Sequence, residues 1–282
     1  MTGKLVLCGT PIGNLEDLSP RAAATLASAD AIACEDTRRT RKLLTHIGVR
    51  PKDLIVVNDA NESRRAREIS DRVRKGATVV LVSDAGMPGL SDPGYRVVAE
   101  CAAAGSSIEV VPGPSAVVAA LSVSGLPPGR FAFEGFLPKR AGDRRRRLQD
   151  VAHDPRTLIF FVSPHRLAEH LKEVEEELGD RPASLARELT KIYEEVWRGS
   201  LSQLRARAEE GTGPKGEMVL VVSGAIHEHK PKPDSESLAA LAQDLMASGV
   251  DRKSAMARVA KETGVPKREV FDALVEHRSE RR

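Results

Sequence analysis

Val79-Val80-Leu81-Val82-Ser83-Asp84-Ala85-Gly86-Met87-Pro88-Gly89-Leu90-Ser91-Asp92-Pro93-Gly94 is a short apolar run that stops abruptly in a loop carrying two aspartates and three glycines. The pattern reads as a β-strand ending in a ligand loop. In α/β proteins ligands sit beyond the carboxyl ends of parallel strands, where glycine lets the backbone approach and an acid can bind a hydroxyl or amine. A tight surface turn needs only a few such residues, and longer glycine-rich loops between short elements are uncommon unless they bind something.

The arrangement occurs twice more. Leu5-Val6-Leu7-Cys8 runs into Gly9-Thr10-Pro11-Ile12-Gly13-Asn14, and Ile108-Glu109-Val110-Val111 runs into Pro112-Gly113-Pro114-Ser115. Three strand ends could line one cleft. Neither a Gly-x-Gly-x-x-Gly fingerprint nor a Gly-Lys-Ser/Thr follows these strands, which disfavours a dinucleotide dehydrogenase and a P-loop NTPase.

Around these loops, residues 1–122 alternate apolar runs with helical stretches, as βαβ units of a parallel sheet do. Strands are expected near 4–8, 30–34, 54–57, 78–82 and 108–111. Ser19-Pro20 caps and opens a helix. Asn61 is expected to cap another that runs to Lys75, and Tyr95 to Ala104 forms a third. Gly125-Leu126-Pro127-Pro128-Gly129 reads as a hinge. A second α/β domain with a mixed sheet follows over 123–229, with strands at 131–136, 156–162, 183–188 and 217–222 and helices at 164–178 and 201–210. Lys230 to Asp234 is expected to be a linker. Beyond it, short helices near 236–247, 251–263 and 267–278 suggest a helix-turn-helix-like tail.

The 282 residues suffice for two ordinary cores, and 41% hydrophobic with 29% charged residues is a soluble globular balance. No stretch approaches the roughly 18 apolar residues of a membrane span. The start offers no signal peptide, and Cys8, Cys34 and Cys101 fit reduced core thiols of a cytoplasmic protein. A net charge of +3 identifies no partner by itself, but the cations cluster. Arg38-Arg39-Thr40-Arg41-Lys42, Arg64-Arg65-Ala66-Arg67 and Lys139-Arg140-Ala141-Gly142-Asp143-Arg144-Arg145-Arg146-Arg147 lie beside ligand loops, which favours a phosphate backbone as partner.

Hydrolytic and metal chemistry lack their tools here. The seven histidines form no zincin pattern, His227-Glu228-His229 stands alone, no Cys-x-x-Cys occurs, and Gly89-Leu90-Ser91-Asp92-Pro93 fails the nucleophile elbow at its last position. A small-molecule cleft, scattered acids and cations suit group transfer from a preloaded donor, where the protein aligns two reactants and excludes water.

Leu7 to Asp17, Cys34-Glu35-Asp36-Thr37-Arg38-Arg39-Thr40-Arg41-Lys42-Leu43-Leu44, the Ser83 to Gly89 loop and Val111 to Ala116 resemble the tetrapyrrole methylase-like superfamily of S-adenosylmethionine enzymes. More narrowly, Glu134-Gly135-Phe136-Leu137-Pro138, Arg187-Glu188-Leu189-Thr190-Lys191 with Glu194-Glu195, and Arg198-Gly199 resemble its ribosomal RNA branch, the 16S rRNA (cytidine-1402-2'-O)-methyltransferases.

The resemblance implies two α/β domains of the tetrapyrrole methylase type, S-adenosylmethionine in the cleft between them, no metal, a homodimer, and 16S rRNA in the small (30S) ribosomal subunit as acceptor. Pro11, Ile12, Asp84, Gly86, Met87, Ser115 and Ala116 should touch the donor, with Phe161 and the Ser223-Gly224-Ala225 turn as weaker candidates. A base for the ribose hydroxyl is expected among Glu35, Asp36 and Glu62. Arg38, Arg41 and Lys42 should grip phosphates, and Lys139 with Arg144, Arg145, Arg146 and Arg147 should meet RNA. With one Trp, two Tyr and six Phe, stacking platforms for bases are few. Two competing classes are a corrinoid or porphyrinoid C-methylase and a non-catalytic nucleic-acid-binding protein.

Overall fold

The computed structural model describes residues 3–210, 216–226 and 233–280. His227-Glu228-His229 and the front of the expected linker, Lys230 to Lys232, lie outside the described residues. By its contacts the chain divides into two units, Met1–Ala225 and Ile226–Arg282.

The first unit opens with β1 (Lys4–Cys8), α1 (Pro20–Ser28), β2 (Ala31–Cys34), α2 (Thr37–His46), β3 (Leu54–Val56), α3 (Glu62–Arg74), β4 (Thr78–Leu81), α4 (Tyr95–Ala103) and β5 (Ser107–Val111). The five strands form one parallel sheet in the order β3-β2-β4-β1-β5. Alternate residues serve opposite faces. Leu5, Ala33, Val79 and Leu81 pack with Ile69, Val73, Val97 and Cys101 of α3 and α4. Val6, Cys8, Ile32 and Val80 pack with Ala22, Leu26 and Leu44 of α1 and α2. Both faces are therefore dry, which is why these strands read as continuous apolar runs. The chain leaves β1 toward β2 on one side and leaves β4 toward β5 on the other. Adjacent β1 and β4 thus flank the switch point, where their loops part and leave a crevice.

The second sheet is mixed, in the order β6-β7-β10-β8-β9. After α5 (Ala116–Ser124) it is built from β6 (Phe131–Phe136), α6 (Ala141–Val151), β7 (Thr157–Val162), α7 (Leu167–Leu178), β8 (Pro182–Arg187), β9 (Glu195–Ser200), α8 (Leu201–Glu209) and β10 (Met218–Val222). Only β6 and β7 run parallel. Leu148, Leu158, Phe160, Leu171, Leu185 and Leu204 fill the side covered by α6, α7 and α8. On the other side Val117, Ala120 and Leu121 of α5 pack on Ile159, Ala186, Val219 and Val221, joined by Ile12 from the β1 loop. The helix that follows β5 thus covers the other sheet, and a division at 122/123 falls inside it.

Most expected elements are present within a residue or two. The tail contains α9 (Ser235–Ala247), α10 (Arg252–Thr263) and α11 (Lys267–Glu280). They pack around Leu238, Ala242, Val259, Val270 and Leu274, with Gly264 left-handed at the α10 end. Helices α2, α5 and α6 and strand β9 were not among the expected elements. Asn61 precedes α3 but does not cap it: its Oδ1 accepts from the Asn58 amide and its Nδ2 donates to the Val56 carbonyl. Among the described residues no helix is long and apolar enough to cross a membrane.

Candidate active site

The three glycine loops meet at the switch point. Gly9 and Gly113 let the β1 and β5 loops touch backbone to backbone, since a Cβ on Gly9 would lie 2.6 Å from Gly113 Cα. The β1 and β4 loops are stitched by a two-residue bridge, with the Thr10 amide donating to the Gly86 carbonyl (2.9 Å) and the Gly86 amide to the Thr10 carbonyl (3.1 Å). Gly86 adopts φ +84°, and buried Thr10 sends its hydroxyl to the Ser83 carbonyl at 3.2 Å. The Asp36 amide donates to Asp84 Oδ1 at 3.1 Å, tying the β2 end to the same loop.

These loops and the facing sheet enclose a cavity of about 480 Å³, within the range of small-molecule sites. Ile12, Asp84, Gly86, Met87, Ser115, Ala116 and Phe161 line it, together with Glu35. Phe161 sits in an aromatic wall, its ring centroid 4.9 Å from Phe133 and 5.1 Å from Phe136. A bulge between Phe133 and Phe136, with Gly135 at φ +70°, turns that wall toward the cavity.

Acids dominate the opposite wall. Asp92, Glu35 and Asp84 all border the cavity, with Arg39 as the cation among them. Burial first, then the neighbouring Glu35 and Asp84 charges, push the Asp92 carboxyl up to about 6. Burial, then Asp84 and Asp59, raise Glu35 as well. A carboxylate that titrates near neutrality is suited to proton transfer, and a negative wall favours a cationic ligand over its neutral product.

A second cavity of about 380 Å³ adjoins the first and shares Ile12, Arg39, Asp84, Ala85 and Glu217 with it. Pro11 and Lys42 line this second space, as does Lys191 from the β8–β9 turn. Pro11 therefore borders only this second space, beside Ile12 and Asp84, which border both.

Several expected site residues lie elsewhere. Asp36 begins α2 as its cap, accepting from the Arg38 amide at 2.8 Å. The Arg38 guanidinium holds its carboxyl down at about 2, which makes it a poor base. Glu62 is buried and its Oε1 accepts the Gly94 amide (2.8 Å) and the Arg96 amide (3.0 Å), so it splices α3 to the start of α4 outside both cavities. Ala225 follows the far end of β10 from the cavity-lining Met218, and its amide donates to the Asp154 carbonyl at 2.7 Å.

The long arginine run is a helix rather than a loop patch. Arg144, Leu148 and Val151 occupy its inward face, the i, i+4, i+7 stripe of an amphipathic helix. Arg144 is 0% exposed and bonded to Glu173, Glu169 and the Pro138 and Lys139 carbonyls, which removes it from any RNA face. Arg145, Arg146 and Arg147 are exposed but paired with Glu177, Asp143 and Glu134. Lys139 is exposed, as are Arg38, Arg41 and Lys42 on α2.

Arg39 and Asp92 are among the lining residues that the sequence does not single out. In the sequence Arg39 stands out only as part of a charge run, and Asp92 only as the second acid of the β4 loop. Their signal is position: Asp92 lies in the strand-end loop quoted at the outset, and Arg39 in the first turn of the helix that follows Glu35.

The family model of the tetrapyrrole (corrin/porphyrin) methylases matches residues 4–205. The chain is 46% identical over 282 residues to ribosomal RNA small subunit methyltransferase I of Mycobacterium tuberculosis (strain CDC 1551 / Oshkosh), covering 99% of this chain and 97% of that one. It is 46% identical over 222 residues to the protein of the same name from Thermotoga maritima, covering 79% of this chain and 99% of that one. Among solved structures, uroporphyrin-III C-methyltransferase from Thermus thermophilus complexed with S-adenyl homocysteine aligns with a TM-score of 0.53 at 20% identity, over 78% of this chain and 96% of that one. That likeness is one of fold.

Proposed function

The chain belongs to the ribosomal RNA small subunit methyltransferase I branch of the tetrapyrrole methylases, and from that membership we propose that it transfers a methyl group from S-adenosylmethionine to the 2'-hydroxyl of a cytidine ribose in 16S rRNA. The observation that carries the reading is the convergence of three strand-end loops on one cavity with a carboxylate wall. The acceptor is the assembled 30S subunit, and the enzyme works as a cytoplasmic homodimer. Residues 1–122 supply the donor loops and the RNA face, 123–229 close the cleft, and 230–282 form a linker and helical tail.

The residues present suit this donor. Ile12, Gly86, Met87, Ser115, Ala116 and Phe161 offer backbone edges and apolar surface, and Asp84 offers a carboxylate for an amine or ribose hydroxyls. Held by these residues, S-adenosylmethionine would supply a sulfonium-activated methyl carbon that carries its own leaving group. The protein's work is alignment, exclusion of water and acceptance of the hydroxyl proton. Asp92 and Glu35 are the carboxylates placed for that proton. Asp36 and Glu62 are already committed to amide donors.

The test is incubation with methyl-labelled S-adenosylmethionine and, in parallel, unmodified 30S subunits, free 16S rRNA or a tetrapyrrole precursor. Label on a cytidine 2'-oxygen of the 30S particle is expected. Label on the macrocycle, or none on any acceptor despite donor binding, overturns the reading.

A further inference from the structure

The β8–β9 turn holds two non-glycine residues, Glu188 (φ +50°) and Thr190 (φ +66°), in the left-handed region. Such conformations persist only when their surroundings over-determine them. Here the Glu188 carboxylate accepts from the Glu217 amide and Lys191 Nζ, both at 2.9 Å. Thr190 Oγ1 accepts the Asn14 amide at 3.0 Å, and the Thr190 amide donates to Glu194 Oε2 at 2.6 Å. The braced turn points Lys191 into the second cavity and leaves Ile192 95% and Tyr193 73% exposed. Tyr193 is within about 7 Å of Lys191 along the chain.

The opposite lip of that cavity is α2. Lys42 lines the cavity, and Arg38, Arg41 and Lys42 share one helix face through i, i+3 and i+4 spacing. Neither Arg41 nor Lys42 has an acid within ion-pair distance among the described residues, unlike the four arginines of α6. A polyanion would meet uncompensated charge on α2 and compensated charge on α6. Between the lips the cavity leads to Arg39 and Asp84, which also border the donor cavity.

Free cations on one side, an exposed ring on the other and a passage to the donor between them match the parts of a single nucleic-acid strand: phosphates, bases and a ribose. We propose that the acceptor rRNA strand crosses the mouth of the second cavity, its phosphates on Arg41 and Lys42 and a base next to the modified nucleotide stacked on Tyr193. This inference rests on the rRNA methyltransferase reading and adds the surface that would present the ribose.

Three measurements on the full-length protein test it: kcat/KM for methylation of 30S subunits, donor affinity by calorimetry, and the salt dependence of binding to a fluorescent single-stranded oligoribonucleotide spanning the modified nucleotide. Stacking on an aromatic ring predicts that Tyr193→Ala lowers kcat/KM about 5- to 100-fold with donor affinity unchanged, and that Tyr193→Phe and Tyr193→Trp restore it. Arg41→Ala and Lys42→Ala should each reduce the log–log salt slope by about 0.7. Equal rates for wild type and Tyr193→Ala, equal losses in the Phe and Ala variants, or unchanged salt slopes overturn the proposal while wild-type activity on 30S subunits leaves the parent reading intact. A Tyr193→Ala defect that appears with 30S subunits but not with the oligoribonucleotide places the turn on a ribosomal protein and also overturns it. Failure of the wild type to methylate 30S subunits removes both.

Discussion

Arg39 Nε stands 3.5 Å from Asp84 Oδ2, and this ion pair forms a wall shared by the two cavities. Asp84 is at the same time bonded to the Asp36 amide, so the β2 end, the β4 loop and the first turn of α2 are coupled through one carboxylate. The guanidinium also lowers the proton affinity of both Asp92 and Glu35.

Replacing Arg39 by alanine takes the cation away from three carboxylates. Both raised carboxyl groups should move further up, so the acidic limb of the kcat/KM profile shifts to higher pH. Activity at pH 7 should fall by about one to two orders of magnitude. A pH–rate profile superimposable on wild type would refute the electrostatic role.

Asp92→Asn should separate activity from stability. If Asp92 accepts the hydroxyl proton, turnover falls by roughly two to four orders of magnitude. Its folded carboxyl titrates at about 6, above its ordinary value of 3.8, so the native state holds the proton longer. Stability is therefore highest below the unfolded value and declines as pH rises through about 6. Discounted for partial exposure, the variant should gain about 1–2 kcal/mol at pH 7.5 and nothing below pH 4. Urea denaturation at the two pH values checks this, and a pH-independent difference contradicts it.

The α6 arginines should divide sharply. Arg144→Ala leaves Glu173 and Glu169 without their buried partner and should cost about 3–5 kcal/mol. Arg145→Ala and Arg146→Ala should stay within about 0.5 kcal/mol, as exposed pairs do. Equal denaturation midpoints for Arg144→Ala and Arg145→Ala would refute the buried role.

Glu62→Ala should behave as a structural lesion. Two amides lose a buried acceptor, at a cost of about 1–3 kcal/mol, while kcat per folded molecule changes by less than about tenfold. A loss of two orders of magnitude in kcat with an unaltered melting curve would return Glu62 to the catalytic candidates.

What could be read along the chain follows from where physical chemistry is local. Val79 to Val82 is apolar at every position because both faces of its sheet are covered, and it ends where Ser83-Asp84-Ala85-Gly86 can no longer pair as a strand. The same logic picked out the Gly9 to Asn14 and Pro112 to Ser115 loops, since a parallel strand end delivers its following loop to the crevice whatever lies opposite; Ile12 and Ser115 within them came from the family resemblance. Helix α5 resisted reading because nearly every position is apolar, so no stripe shows which sheet it covers. Strand β9 resisted because an edge position lets polar Glu195, Arg198 and Ser200 alternate weakly.

Local pattern thus decided that the short strands run parallel and end in glycine loops suited to a small molecule. Packing decided the rest: that Arg144 faces inward, that Glu62 spends its carboxylate on two amides, and that Asp92 borders one cavity with Glu35 and Asp84. The reason is that a side chain's charge is written in its residue type, whereas the partner that neutralises it comes from a distant segment.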